Sequence, residues 1–148
     1  MIGEKKKQVI FMGSDHAGFK AKSQLHKFLK EKGFDVSDLG CFSEDTCDYP
    51  DIAREVGEKI MEHQDAFGIL ICGSGVGVAM AANKIKGVRA AMANNLEIAE
   101  ISRRHNNANV LTMGGRTTDL ADMEKITMKF LETAFESDQE RHVRRVEK

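Results

Sequence analysis

The stretch that decides the fold is FGILICGSGVG, residues 67–77. Its first part, FGILIC, is an apolar run with the length and composition expected of a strand buried on both faces. Three glycines follow within five positions, where they allow positive φ values and a close approach of the backbone to a ligand. A buried strand that runs directly into a glycine-rich turn and a helix is typical of a parallel α/β sheet.

The alternation of strand and helix patterns continues in both directions from this stretch. Further strands are predicted at residues 9–12, 34–39, 88–92 and 110–113. Apolar residues at helical spacing predict five helices, at 21–29, 52–61, 79–84, 96–104 and 123–134. We therefore predict one domain over residues 1–148, with a doubly wound, Rossmann- or flavodoxin-like, five-stranded parallel sheet and helices on both faces. Residues 1–8 form a charged lead, and residues 136–148 form a basic tail.

The composition excludes several function classes. The 148 residues contain 22 Lys and Arg against 23 Asp and Glu, so a nucleic acid or a membrane surface is not expected as a partner. The chain has neither the ~18 consecutive apolar residues of a membrane span nor a secretory signal, and a reducing cytoplasm is the expected location. Cys41, Cys47 and Cys72 are too few for a disulfide framework, and their spacing to histidine predicts no zinc site.

Ligands of such sheets bind beyond the carboxyl ends of the strands, which directs attention to the loop after the buried strand. Its glycines and the helix that follows favour an anion or a developing oxyanion. Val78 excludes the dinucleotide fingerprint, and the Gly-Lys-Ser/Thr ending of a Walker A loop is absent. Cys72 is either a buried apolar residue or a thiol whose pKa the helix dipole lowers, as a nucleophile or base requires.

Other polar side chains allow two interpretations each. Asp15 and His16 follow the first strand, where Asp15 or the preceding serine could simply cap a helix. His105 ends a helix, where a histidine often serves only as a partner of the helix dipole. Arginine binds phosphate through two parallel hydrogen bonds, which favours Arg116 by its place after the last strand, whereas the arginines of the basic tail could be merely solvated.

Six motifs occur in order over nearly the whole chain. They are SDHAGFK (14–20), CDYPD (47–51), GILICGSGVG (68–77), AANK (81–84), RRHNNANVL (103–111) and RHxxR (141–145). With these motifs the sequence resembles the B-type ribose-5-phosphate isomerases, which are grouped with the galactose-6-phosphate isomerase subunits. The resemblance implies an aldose–ketose isomerase of the pentose phosphate pathway that converts D-ribose 5-phosphate to D-ribulose 5-phosphate through a cis-enediolate, without metal or organic cofactor.

The resemblance also implies a role for each site residue. Cys72 would be the base at C2, and Ser74 would assist proton movement between the sugar oxygens. His105, helped by Asp15, would open the furanose ring. The remaining residues would bind the substrate: Gly73, Gly75 and Gly77 as an anion hole, Asn106 and Tyr49 at the sugar, and His16, Arg116, Arg141 and Arg145 at the phosphate. A second branch of the family uses a glutamate at the position that corresponds to Val78, so this chain belongs with the cysteine branch.

In this family the site forms between two subunits, and the partner supplies the ring-opening histidine. A homodimer or homotetramer is therefore expected. Two other substrates, allose 6-phosphate and galactose 6-phosphate, need only a slightly larger pocket, and one hydroxymethyl group is worth only ~1–3 kcal/mol of discrimination. A silent sugar-phosphate sensor and a flavodoxin-like cofactor module are the remaining alternatives. The first would not need a base, and the second would need more aromatic residues than one Tyr and no Trp supply.

Overall fold

The computed structural model describes residues 6–148. Residues 1–5, which include most of the predicted charged lead, lie outside the described part. Residues 6–8 have no regular structure and lead directly into the first strand. Within residues 6–148, every helix is too short or too polar to cross a bilayer. The expected cytoplasmic location stays a prediction.

Five parallel strands form one sheet, as the sequence pattern predicts. They are β1 Val9–Ser14, β2 Asp35–Asp38, β3 Phe67–Cys72, β4 Ala90–Met92 and β5 Val110–Gly114. Their order in the sheet is β2-β1-β3-β5-β4, with β3 in the centre. Relative to the flavodoxin-like order 2-1-3-4-5, the last two strands are exchanged, which moves β5 next to β3.

Residues 6–148 contain six α-helices, of which the first five cover the two faces of the sheet. They are α1 Phe19–Glu31, α2 Tyr49–Glu62, α3 Val76–Ala82, α4 Leu96–Arg104, α5 Leu120–Glu132 and α6 Glu140–Glu147, and a short 3-10 helix at His16–Gly18 precedes α1. Helix α3 begins directly after the glycine loop, three residues earlier than its apolar pattern indicates. Helix α6 lies in the segment expected as a tail. Only two of its residues, Val143 and Val146, are aliphatic, so the segment is too polar overall for its apolar residues to indicate a helix.

The central strand divides the interior into two cores. Ile69 and Ile71 point to one face, where they pack with residues of α1, α4 and α5. Leu70 and Cys72 point to the other face, where they pack with residues of α2 and α3. Because Ile69, Leu70 and Ile71 are all completely buried, the prediction of a strand covered on both faces is confirmed.

A buried lysine anchors the loop between β2 and α2. The side chain of Lys22 on α1 is fully buried, and its ammonium group donates to Asp38 Oδ1 at 2.8 Å and to the carbonyl of Cys41. A buried charge needs such partners to offset its lost hydration. The same loop contains a disulfide between Cys41 and Cys47, which the sequence pattern does not predict. The two cysteines are six positions apart, and they meet only because the loop turns back on itself.

We expect truncation of the central strand to destabilise the fold. Leu70→Ala should lower the free energy of unfolding by about 2–5 kcal/mol, because it removes fully buried methyl groups and leaves a cavity. Urea denaturation followed by far-UV circular dichroism measures the change. Lys27→Ala on the exposed side of α1 is the control and should stay within about 0.5 kcal/mol of the wild type. Equal losses for the two variants would contradict the assignment of β3 as the centre of the core.

Candidate active site

The loop after β3 holds the thiol of Cys72 at the carboxyl edge of the sheet. Gly75 adopts φ 83° and donates its backbone N–H to Cys72 Sγ at 3.1 Å. Thr112 on β5 fixes the loop by donating its hydroxyl to the Gly75 carbonyl at 2.7 Å. A side chain at Gly75 would place Cβ 2.8 Å from the Met113 carbonyl carbon, so both the φ value and the close packing require glycine.

This geometry revises one part of the predicted anion hole. The Gly75 N–H points at the Cys72 sulfur, and the Val76 N–H bonds the Ser74 hydroxyl at 3.2 Å. The Gly75 N–H is therefore already bonded to the sulfur and does not point at a substrate oxygen. The first-turn N–H groups of α3, among them that of Gly77, have no intrahelical partner and remain suited to an anion.

The loop after β5 brings Arg116 beside the thiol loop. Gly115 donates its N–H to the Cys72 carbonyl at 2.7 Å, and Arg116 donates its N–H to the Gly73 carbonyl at 3.0 Å. The Arg116 side chain then passes close to Gly73, 3.6 Å from where a Cβ would lie. The sequence places Arg116 after the last strand, and the structure adds that this strand neighbours β3.

The loop after β1 contributes Asp15. Its backbone N–H bonds the Ile71 carbonyl at 3.2 Å, and its carboxylate accepts the Gly18 N–H at 3.1 Å. Asp15 thus caps the 3-10 helix, which is the alternative that the sequence left open, and it also lines the cavity above Cys72. Ser14 does not act as the cap, since its buried hydroxyl has no hydrogen-bond partner among residues 6–148.

These loops enclose an open cavity of about 630 Å³ at the carboxyl edge of the sheet. Tyr49, the first residue of α2, forms one wall and packs against Gly77, where a Cβ would come within 2.9 Å of the ring. Seven of the predicted site residues lie in the cavity lining: Asp15, Tyr49, Cys72, Gly73, Ser74, Gly77 and Arg116. Val76, Met80 and Thr117 complete the lining.

His16 lies beside this cavity but not in its lining. Its Nδ1 accepts the backbone N–H of Cys47 at 3.4 Å. The imidazole is therefore in contact with the loop that the Cys41–Cys47 disulfide closes. This contact links the conformation of that loop to the orientation of the His16 ring.

The other predicted residues lie at the opposite edge of the sheet. His105 caps the carboxyl end of α4, and the turn through Asn107, with φ 48°, leads into the amino end of β5. Cys72 pairs with Gly114 at the carboxyl end of the same strand. Along β5 the two catalytic candidates are therefore about 13 Å or more apart. One chain does not bring His105 and Cys72 together.

The remaining predicted residues accompany His105. Asn106 and Arg145 line a second cavity of about 400 Å³ near the amino ends of β4 and β5. Arg141 is exposed on the same helix as Arg145, where it donates to Gln139 at 2.9 Å. Arg141 and Arg145 therefore lie on α6, on the side of the molecule that carries His105.

Comparison with known proteins decides the family. A family model described as "Ribose/Galactose Isomerase" matches residues 10–148. This chain belongs to that family. The fold, the order of the motifs and the thiol loop of this isomerase agree with the match, which covers the sheet and all six helices.

Two relatives and two solved structures are similar to the isomerase over nearly its full length. A Mycoplasma genitalium protein named "Probable ribose-5-phosphate isomerase B" is 45% identical and covers 94% of this chain and 91% of its own. The Escherichia coli "Ribose-5-phosphate isomerase B" is 39% identical, with coverages of 93% and 91%. The Mycoplasma genitalium structure with bound ribulose-5-phosphate has a TM-score of 0.89 at 44% identity, covering 94% and 91%. The Thermotoga maritima enzyme structure has a TM-score of 0.91 at 40% identity, covering 95% of each chain.

His142 and Glu136 lie next to His105 in the isomerase, and the sequence analysis does not single them out. The ring of His142 stacks on that of His105, with centroids 4.4 Å apart and an interplanar angle of 12°. The carboxylate of Glu136 faces both rings, at 4.0 Å from His105 Nε2 and 3.5 Å from His142 Nε2. The RHxxR motif contains His142 and was the available signal, but Glu136 stands in no recognisable motif.

The surroundings of His105 lower the pKa values of His142 and Glu136. Burial lowers the pKa of His142, and the positive charges of Arg141, His105 and Arg145 lower it further, against the opposing effect of Glu136. The hydrogen bond from Arg104 lowers the pKa of the Glu136 carboxyl. His105, Glu136 and His142 place their ligand atoms within 4.8 Å of one another, the spacing of a possible cation site. The Arg104 guanidinium, 2.7 Å from Glu136 Oε1, disfavours a further positive charge there.

The lowered pKa of His142 makes stability depend on pH. Because the folded pKa lies below the unfolded value near 6.5, the unfolded chain binds more protons as the pH falls through that range. The stabilisation is complete above pH ~6.5 and is lost below it. We expect the free energy of unfolding to fall between pH 8 and pH 5.5, and His142→Phe to reduce this fall. The pH dependence of urea midpoints measures it.

His26→Gln, which removes an imidazole from α1, is the matched control and should keep the wild-type slope of stability against pH. The carboxyl of Glu136 does not contribute to this window, because its own transition lies below pH ~4.5. A wild-type slope in the His142→Phe variant would show that His142 does not carry the effect.

Proposed function

We propose that this isomerase interconverts D-ribose 5-phosphate and D-ribulose 5-phosphate through a cis-enediolate, as a step of the pentose phosphate pathway. The names of its relatives and the ribulose-5-phosphate bound by the Mycoplasma genitalium enzyme support the substrate. The observation that carries the mechanism is the Cys72 thiol. It is buried to 5% exposure beside an open cavity and accepts a backbone N–H of its own loop.

Cys72 acts as the base of the isomerisation. Its thiolate removes the proton from C2 of the open-chain aldose, the C1 carbonyl becomes the enediolate oxygen, and the same thiol returns the proton to C1 to give the ketose. The Gly75 N–H supports this role because its hydrogen bond holds the sulfur in a fixed position at the cavity. The loop supplies no competing carboxylate, since the side chain at position 78 is a completely buried valine.

The groups around the thiol hold the substrate and the developing charge. The Ser74 hydroxyl lies in the cavity, where it assists proton movement between O1 and O2. The backbone donors of Gly73 and Gly77 face the enediolate oxygen, in preorganised positions that need no rearrangement during the reaction. Arg116 places a guanidinium in the same cavity and binds the phosphate together with His16.

A second copy of the chain completes the site. His105, Asn106, Arg141 and Arg145 lie at the opposite edge of the sheet from Cys72, so a homodimer is required to bring a ring-opening histidine and further phosphate ligands to the cavity. Exposed apolar side chains in the cavity lining and around the turn from β4 to α4 support such an interface. They are Val76, Met80, Met92, Leu96 and Ile98, each between 37% and 66% exposed.

The role of Cys72 is tested by Cys72→Ala. The variant should lose about 10²–10⁴-fold in kcat for ribose 5-phosphate, as expected for removal of a positioned acid–base group. Its affinity for the sugar phosphate, measured by calorimetry, should stay close to that of the wild type, since the arginine and backbone donors are unchanged. Val78→Ala, which truncates a buried side chain of α3 next to the loop and keeps the thiol, is the control for packing damage near the site. A near-normal kcat in Cys72→Ala would remove the base assignment.

The substrate is tested with the same wild-type protein. Ribose 5-phosphate should be converted without added metal or cofactor, with kcat/KM of about 10⁴ M⁻¹s⁻¹ or more. Turnover of allose 6-phosphate or galactose 6-phosphate at a higher kcat/KM would reassign the substrate to a six-carbon sugar. Binding of all three without turnover would identify a sensor and contradict the proposal.

The shared site is tested by complementation between two inactive variants. A dimer of one Cys72→Ala chain and one His105→Asn chain contains one site with both residues intact and one site with neither. Random reassociation after joint unfolding and refolding makes half of the dimers mixed, so about one quarter of the wild-type activity should return. Each variant taken alone through the same procedure is the control. No recovery in the mixture, with dimers confirmed by light scattering, would contradict a site shared between subunits.

A further inference from the structure

His105 lies in a network of surface side chains that connects it to Arg104, Glu136 and His142. Arg104 binds Glu136 Oε1 through Nε at 2.8 Å and through Nη2 at 2.7 Å. The backbone repeats the connection, since the Glu136 N–H bonds the Arg104 carbonyl at 3.0 Å. These bonds fix the carboxylate of Glu136 against the imidazole rings of His105 and His142.

His142 is an unusual residue for the surface helix that carries it. It is only 6% exposed, whereas the arginines beside it on α6 are exposed. Its Nε2 is buried and has no hydrogen-bond partner in the described part of the chain, and Glu136 Oε2, at 3.5 Å, lies beyond ordinary hydrogen-bond distance. A buried polar atom without a partner is costly, and an aliphatic side chain would anchor α6 without that cost. The arrangement is therefore explained better by the neighbour on which His142 stacks than by packing of the helix.

We propose that Glu136 and His142 are positioning residues for His105 in the opening of the furanose ring. The stacked ring of His142 fixes the plane of the His105 imidazole, and the Glu136 carboxylate stabilises the imidazolium that forms during proton transfer. This inference rests on the proposed function, in which His105 opens the ring of ribose 5-phosphate in the partner's site.

The step balances as a proton shuttle. His105 takes the proton from the anomeric hydroxyl at O1, the bond between C1 and the ring oxygen O4 breaks as the C1 carbonyl forms, and the imidazolium gives the proton to O4. The imidazole carries the transferred proton between the two steps, so a fixed carboxylate beside it stabilises the transition states more than the ground state. Arg104 keeps the carboxylate in place by holding it at Oε1.

The charge state of His142 fits a stacking role. Its burial and the neighbouring positive groups of Arg141, His105 and Arg145 lower its pKa, which keeps the ring neutral near neutral pH. A neutral ring stacks on His105 without repelling the proton that His105 receives. Burial is thus the largest influence on the pKa of His142; among charged groups Arg141, His105 and Arg145 lower this pKa, and Glu136 raises it.

The test compares a sugar phosphate that must be opened with one that cannot close. A tetrose 4-phosphate has its O4 esterified and forms no furanose ring, so its isomerisation bypasses the ring-opening step. Glu136→Gln and His142→Phe should each lower kcat for ribose 5-phosphate at least about tenfold, a part of the ~10²–10⁴-fold supplied by an acid–base group. Turnover of the tetrose 4-phosphate should stay within about twofold of the wild type.

The choice of variants keeps the outcome interpretable. Glu136→Gln preserves the size and most hydrogen bonds of a partly exposed side chain, and His142→Phe preserves the stacked ring while removing its nitrogen atoms. Glu140→Gln removes one carboxylate from the exposed side of α6 and is the matched control, with both rates unchanged. Circular dichroism and light scattering confirm fold and dimer for each variant, and the substrate ratio is measured within one preparation, so a partly folded sample does not alter it.

His105→Asn, measured in parallel, separates the two levels of the argument. If His105→Asn lowers the ratio of ribose 5-phosphate to tetrose 4-phosphate turnover and the two positioning variants do not, the positioning role is overturned while the proposed function stands. If His105→Asn lowers both rates equally, the ring-opening assignment itself fails. Equal losses on both substrates in Glu136→Gln and His142→Phe would show that the two residues only support the structure.

Discussion

The burial of β3 on both faces is the constraint on which the rest of the molecule depends. Its side chains alternate between two separate cores, so helices must cover both sides of the sheet. Gly68 at the start of the strand has room for no side chain without displacing Val56 and Val110, each 3.0 Å from where a Cβ would lie. A strand held this rigidly presents its last residue, Cys72, in a fixed position. The thiol is therefore positioned by the core rather than by the loop alone.

The connectivity of a parallel sheet explains why the predicted residues fall into two groups. Each strand ends at the carboxyl edge, and each helix returns the chain to the amino edge. Cys72 lies where a strand passes into a helix, and His105 lies where a helix passes into a strand. Residues of these two kinds stay on opposite edges within one chain. The distance between Cys72 and His105 of one chain thus follows from topology. Within the proposed dimer, the His105 that approaches Cys72 belongs to a second copy.

Much of the fold could be predicted because its signals are local. The apolar run before Cys72 and the glycines after it determine the central strand and the thiol loop from neighbouring residues alone. Helix α6 could not be predicted in this way. Its one buried residue is His142, a polar side chain that does not add to an apolar pattern. The Cys41–Cys47 disulfide and the contact of Glu136 with His105 could not be predicted from the sequence for a related reason. Both depend on where loops turn in space, which neither composition nor spacing encodes.

The separation of the two edges has a thermodynamic consequence. In the proposed arrangement a sugar phosphate touches the thiol loop of one chain and the α6 arginines of the other. A ligand that binds the pair of chains more tightly than the separate chains stabilises their association by mass action, with a free energy that grows as the logarithm of its concentration above the dissociation constant. Substrate then acts as a cross-link between subunits as well as a reactant. The population of assembled catalyst rises with the amount of sugar phosphate that it has to convert.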